Sequence, residues 1–241
     1  MRNFVIDIGN TRLKTALFEE GKVISEESFG DFGTFLEASK SLQFQHAIIS
    51  SVTYTKEQLG ELLGFSFLFL DKSTGLPITN KYATPETLGV DRKAAVIGAR
   101  SIIENGPLLA VDLGSCITYD FLDESDNYMG GAISPGLQMR FRAMHQQTAR
   151  LPIAELESNK IPDFIGNTTV SCLRSGVYFG ILNELNGFVQ QYQEQYHDLK
   201  VIICGGDSKI FESLTKDHIF VIPNLILYGL DRILSYNVNY Q

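Results

Sequence analysis

At 241 residues, 44% hydrophobic and 20% charged, the chain has the composition of an ordinary soluble globular protein, with room for one large core or two small ones. A formal net charge of −8 leaves no basic surplus for a nucleic-acid backbone or an anionic membrane surface. Three scattered cysteines (Cys116, Cys172, Cys204) without a CxxC pair, a first strand starting close to Met1 and no apolar run of membrane length lead us to expect a reduced, cytoplasmic chain with no membrane and no nucleic-acid partner.

The first element is the stretch from Phe4 to Lys14. Three apolar residues run into Asp7-Ile8-Gly9-Asn10-Thr11 and a second short segment follows, the pattern of a buried strand, a tight polar turn and a returning strand. A carboxylate at the end of a buried strand is costly unless it meets a cation or hydrogen-bond donors. Glycine beside it lets a ligand approach the backbone, so the N–H groups of Asn10 and Thr11 can face phosphate oxygens; the same residue types also make a plain β-turn. A strand over 23–27, a helix over 32–40, a buried strand over 46–52, a helix over 55–63 capped by Thr55 and a strand over 65–70 complete a βββαβαβ lobe with a mixed sheet.

Residues 71–89 read as a long polar connection running into the segment Tyr82 to Arg92, ahead of a helix expected from Lys93 to Glu104 and the stop signals Asn105-Gly106-Pro107. Long loops inside compact domains are usually functional. Taken singly, Asp91 also reads as a cap or first-turn acid, Arg92 as a solvated charge and Tyr82 as packing.

The second half repeats the first. Ala110-Val111-Asp112-Leu113-Gly114-Ser115-Cys116 has the same layout, continued by a hairpin strand, although only the Asp and Gly of the turn are identical. Two Asp-x-Gly hairpins at half-chain spacing predict two similar lobes, 1–107 and 108–241, gripping one polyphosphate. Residues 128–136 form a glycine-rich return strand, followed by an amphipathic helix over 137–150 and a proline-bearing linker over 151–164. A long helix over 168–196 opens on Gly166-Asn167-Thr168-Thr169, good caps that also suit an anion or hydroxyl. A strand over 199–204 leads through Gly205-Gly206-Asp207-Ser208 into a helix, a junction that admits a nucleotide and is also a common turn. A strand over 219–222 and a helix over 225–236 close the chain. The four histidines do not cluster, and no Cys/His metal motif, Walker A sequence or Rossmann fingerprint occurs.

In this order the motifs resemble the type III pantothenate kinase family, within the acetate/sugar kinase–Hsp70–actin superfold. They are DIGNT (7–11), the YxxPxxxGxDR run (82–92), DLGSCIT (112–118), GGAISPG (130–136), GNTT (166–169) with Ser175-Gly176, and GGD (205–207). The resemblance implies an α/β fold of two ribonuclease H-like, actin-like ATPase lobes, each a mixed sheet with flanking helices. It implies ATP-dependent phosphorylation of pantothenate to 4'-phosphopantothenate, the first step towards coenzyme A, by a homodimer with its active site near the interface. Asp7, Ile8, Gly9, Asn10, Thr11, Arg12, Leu13 and Lys14 would cradle the ATP phosphates, with hydrated Mg²⁺ near Asp7. Asp91 would be the general base, Gly89, Val90 and Arg92 would line the pantothenate pocket, and Tyr82 would close it. Asp112 would hold a monovalent cation (K⁺ or NH₄⁺), Ser115 would touch ATP, Thr169 would reach pantothenate, and Gly205 and Gly206 would lie near the adenosine.

Two departures from the family pattern stand out. Ser115-Cys116 replaces the usual Thr-Ala, and GNTT lacks the basic residue and the Asn-Thr pair, which leaves Thr168 and Thr169 both open, with spacing favouring Thr169. Fold does not fix function; a sugar or acetate kinase of the same superfold, or a non-catalytic transcription accessory protein, are the alternatives.

Overall fold

Short apolar strands alternate with helices in the computed structural model, which describes residues 1–10, 12–157, 160–214 and 218–239. The chain divides into two compact units, one made of residues 1–104, 126–129 and 224–241, the other of 105–125 and 130–223.

The first unit begins with β1 (Arg2–Ile8), β2 (Leu13–Glu19), β3 (Lys22–Phe29), α1 (Phe32–Ser39), β4 (His46–Ser51), α2 (Lys56–Leu62) and β5 (Leu68–Phe69), the expected βββαβαβ order. The sheet runs β3-β2-β1-β4-β5, with β1 antiparallel to β2 and parallel to β4. Central β1 is apolar on both faces, and Phe4, Val5 and Ile6 are buried. Phe4, Ile6 and Ile8 pack with Phe35 of α1 and Leu59 of α2 in one hydrophobic cluster. Thr55 caps α2 as expected: its hydroxyl accepts from the Gln58 N–H while the Gln58 side chain accepts from the Thr55 N–H, a capping box.

The connection over 71–89 carries more structure than its composition announced. Thr79–Asn80 form β6, paired in parallel with Asn127 and Tyr128, and Pro85–Thr87 make a 3-10 turn. The next helix, α3 (Val90–Ile102), starts ahead of the expected Lys93, so Asp91 and Arg92 lie inside its first turn.

The second unit follows with β7 (Leu108–Leu113), β8 (Cys116–Leu122), most of β9 (Asn127–Pro135), α4 (Leu137–Gln147), α5 (Thr169–Gln195), β10 (Lys200–Cys204) and β11 (Ile219–Val221). Its strand order, β11-β10-β7-β8-β9, reproduces that of the first sheet. The hairpin partner β8 is antiparallel to β7, and the crossover strand β10 is parallel to it. The duplication suggested by two Asp-x-Gly turns is therefore a duplication of topology. Leu109, Val111, Tyr119 and Phe121 of the sheet pack with Val177, Ile181 and Leu185 of α5. After Gly205-Gly206-Asp207 the expected helix is a 3-10 segment (Ser208–Leu214), interrupted at Phe211, whose ring is buried.

The last helix, α6 (Leu225–Asn239), belongs to the first unit, which departs from a simple division at residue 107. The physical reason is local. A Cβ on Gly229 would lie 1.8 Å from the Ala94 carbonyl and one on Gly98 2.3 Å from the Leu225 carbonyl, so two glycines let α3 and α6 touch backbone to backbone. Asp231 of α6 accepts a 2.7 Å hydrogen bond from the buried Asn3 amide of β1, and Tyr228 meets Phe18 edge-on.

Candidate active site

In the first unit the end of β1 sets Asp7 between Lys14 on β2 and Ser50 on β4, its register partners. The Gly9 N–H donates to the Arg12 carbonyl at 3.1 Å and closes the turn; a Cβ on Gly9 would stand 3.3 Å from that oxygen. Asn10 and Arg12 are exposed, whereas Ile8 and Leu13 pair across the hairpin with their side chains in the core, leaving only their backbone to meet a ligand. Thr11 lies outside the described residues. Lys14 Nζ donates to Asn224 Oδ1 at 3.1 Å, and the Asn224 amide donates in turn to Glu26.

Gly89 is the N-cap of α3 and Val90 its first residue. The Asp91 carboxylate accepts from the Arg92 N–H at 2.9 Å and folds over the helix start; a Cβ on Gly89 would lie 2.4 Å from Asp91 Oδ1, so no larger residue fits that pose. The buried Arg92 guanidinium sits 5.8 Å from the centre of the half-buried Tyr82 ring, a cation–π arrangement. Burial pushes the Asp7 carboxyl up to about 6; Lys14 and the neighbouring Ser50 hydroxyl pull it back, and the Asp91 charge pushes it up further. Residues from two motifs far apart in the chain thus share one electrostatic neighbourhood.

The second unit repeats the turn. Asp112 on β7 is paired in register with Thr118 on β8 and Cys204 on β10, and the Gly114 N–H donates to the Cys116 carbonyl at 3.1 Å. Ser115 is exposed at the tip. Gly205 has φ of +93°, and a Cβ there would lie 2.2 Å from Asp112 Oδ1, which brings the GGD junction directly against this acid. Gly206 is exposed with open space around it. Asp207 is half-buried, which raises its carboxyl above the usual range. At the start of α5, the Thr168 hydroxyl is spent on capping, accepting from the Ser171 N–H at 3.1 Å, while Thr169 opens the helix beside a cavity of about 580 Å³ that Met144, Leu151 and Leu173 also line.

The family model for type III pantothenate kinases matches residues 3–191. The chain belongs to the type III pantothenate kinase family. A type III pantothenate kinase from Christiangramia forsetii is 41% identical over 242 residues, covering 98% of each chain. One from Cytophaga hutchinsonii is 39% identical over 236 residues, covering 98% of this chain and 100% of its own. Among solved structures, a Campylobacter jejuni protein described as a Baf family transcriptional activator aligns with a TM-score of 0.64 at 24% identity, over 98% of this chain and 99% of its own. A glucokinase from an Antarctic psychrotroph aligns with a TM-score of 0.50 at 14% identity, over 98% and 99%. These two likenesses show the fold, that of the actin-like ATPases and sugar kinases.

For this pantothenate kinase family member, the donors suit hard cations. Among the described residues no group of three or more His, Cys, Asp or Glu side chains is arranged to hold a metal. Single, partly buried carboxylates such as Asp7 suit an ion that keeps much of its water and shares phosphate oxygens. Ser50 and Asn224 were not singled out in the sequence. Ser50 lies in the small polar end of β4, and its role follows only once β4 lies beside β1; Asn224 precedes α6 and carries no motif.

The raised Asp7 carboxyl has a measurable consequence in the metal-free chain. Between the ordinary value of 3.8 and about 6 the folded state binds more protons than the unfolded state, so this group's contribution to stability falls as pH rises through that window and is level above it. Relative to Asp7→Asn, the native chain should lose up to about 3 kcal/mol between pH 4 and pH 6.5. Urea titrations of both chains across that range check this; a difference independent of pH would contradict it.

Proposed function

We propose that this chain transfers the γ-phosphoryl group of ATP to the terminal hydroxyl of pantothenate, giving 4'-phosphopantothenate and ADP at the entry to coenzyme A synthesis. The hydroxyl oxygen attacks the γ-phosphorus, the bond to the β,γ-bridging oxygen breaks, and the hydroxyl proton passes to Asp91. The turn from Asp7 to Lys14, Thr11 included, takes the phosphates, and Lys14, steadied by Asn224, supplies positive charge. Gly89, Val90 and Arg92 receive pantothenate, Tyr82 covers it and Thr169 adds a hydroxyl; Ser115 meets ATP, and Gly205 and Gly206 take the adenosine. The protein acts in the cytoplasm as a homodimer.

The reading rests on one observation above the others. The family match over residues 3–191 takes in both the Asp7 turn and Asp91, which stand in one unit, near enough that the Asp7 carboxyl also responds to the Asp91 charge. Phosphoryl transfer asks a protein mainly for such positioning and charge stabilisation.

Bound cations would offset the repulsion between these carboxylates and ATP: Mg²⁺ near Asp7 through water, and K⁺ or NH₄⁺ at Asp112. Dialysed enzyme is expected to require both Mg²⁺ and one of those monovalent ions; full activity in sodium-only buffer would count against Asp112 as ligand.

ADP release coupled to NADH oxidation, measured with pantothenate and with a panel of sugars and acetate, tests the function. Turnover with pantothenate alone is expected. Turnover with a sugar or acetate instead would favour another kinase of the superfold, and none at all would favour an accessory protein.

A further inference from the structure

Arg140 of α4 belongs to no motif in the sequence, yet it gathers four elements of the second unit. Its Nε–H donates to the Pro135 carbonyl at 2.8 Å, and its Nη2 donates to Ser134 Oγ at 2.9 Å and to Glu184 Oε2 of α5 at 2.5 Å. The other Glu184 oxygen accepts from the hydroxyl of Tyr119, a fully buried residue of β8, at 2.9 Å. Burial opposes charge on Glu184, but the bonds from Arg140, Ser134 and Tyr119 outweigh it and hold the carboxyl below its usual range. The pair is about four-fifths buried, which sets it apart from surface ion pairs.

What this network grips is the end of β9, and the end of β9 supports the second turn. The Gly136 N–H donates to the Ser115 carbonyl at 3.2 Å, and a Cβ on Gly136 would lie 2.3 Å from the Gly114 carbonyl. Further back, a Cβ on Gly131 would lie 1.7 Å from the Tyr119 carbonyl, so β9 is seated on β8 with no slack. The backbone from Ser134 to Gly136 therefore links the Arg140 fork to the Gly114-Ser115 tip, and the Arg140 N–H itself donates to the Gly136 carbonyl at 3.0 Å. A fork that bonds two successive residues of a strand and a carboxylate at once fixes position in a way that a single ammonium cannot.

We propose that Arg140, clamped by Glu184 and Tyr119, is a positioning residue that sets the Gly114-Ser115 turn for ATP. This rests on the reading that Ser115 meets ATP. None of the Arg140 side-chain partners named above is a residue assigned to pantothenate, so the defect is expected to fall on the nucleotide.

The test is steady-state kinetics with ATP and pantothenate varied separately. Arg140→Met keeps the stem and removes the fork; the KM for ATP is expected to rise about tenfold, the KM for pantothenate to stay as it was, and Arg140→Lys to recover only part of the loss. An unchanged KM for ATP, or an equal rise in both constants, would overturn the proposal. Should Arg140→Met fail to fold, the isosteric Glu184→Gln is judged by the same two constants, and failure of both to fold would assign the network to stability alone and overturn it as well. Ser115→Ala, run alongside, separates the two readings: no loss of ATP affinity there refutes the Ser115 assignment, while Arg140 stands or falls on its own KM for ATP.

Discussion

Asp91→Asn is expected to leave a folded protein whose turnover is lower by roughly 10²–10⁴-fold, the usual contribution of a general base. The geometry allows the substitution. Asp91 is exposed in the first turn of α3, and the bond it accepts from the Arg92 N–H at 2.9 Å goes to Oδ1, an atom that asparagine retains. The loss of a first-turn negative charge costs a helix no more than about 1 kcal/mol. Melting temperature should therefore barely move while kcat collapses, which separates a chemical defect from a folding one. The same substitution removes a charge that pushes Asp7 up, so Asp7 should titrate lower in Asp91→Asn. Near-native turnover by a well-folded Asp91→Asn would remove Asp91 from the mechanism.

Gly205→Ala carries the second large effect, this time on the fold around the second acid. Alanine must accept φ of +93° there, and its methyl would sit 2.2 Å from Asp112 Oδ1 and 2.5 Å from the Leu113 carbonyl. A left-handed backbone costs about 1–2 kcal/mol for a residue with a Cβ, and overpacking adds about 1–3 kcal/mol. The sum should lower the melting temperature by about 10 °C for a chain of this size. On the proposal that Asp112 holds K⁺ or NH₄⁺, any folded fraction should also lose activation by those ions, because relief of the clash displaces the Asp112 carboxylate. Gly206→Ala next door is the control: nothing lies within 4 Å of the added methyl, and stability should hold. Equal melting curves for the two variants would contradict the packing described for Gly205.

Much of this architecture could be read ahead of the coordinates, and for a definite reason. Buried central strands are written as apolar runs, and the Asp-x-Gly turns at Asp7 and Asp112 interrupt them with residues few other structures require. The hairpins, the Thr55 cap and the βββαβαβ succession of the first lobe follow from such local signals. What escaped depends on contacts between distant residues. The two-residue strand β6 exists because Asn127 and Tyr128 offer it an edge. The placement of α6 depends on Gly98 and Gly229 meeting backbone far along the chain, and neither glycine carries a local signature. The 3-10 segment after the GGD junction is interrupted at Phe211, whose ring is buried in the core, and nothing local in the sequence marks that break.

The candidate site shows the same division. Acids, glycines and Arg92 stand in motifs and were singled out at once. Ser50, Asn224 and Arg140 act through the partners that β4, the α6 entrance and α4 bring to them, so no pattern along the chain marks them. Spacing favours Thr169 over Thr168 in the sequence, and the structure adds that the Thr168 hydroxyl accepts the capping bond from the Ser171 N–H.

The most direct measurement is a crystal structure of this chain with pantothenate, magnesium and a non-hydrolysable ATP analogue. The account predicts the Asp91 carboxylate within about 2.6–3.2 Å of the pantothenate terminal hydroxyl, with the phosphates on the backbone between Asp7 and Lys14. A pantothenate hydroxyl far from Asp91, or a triphosphate that avoids the Asp7 turn, would contradict it.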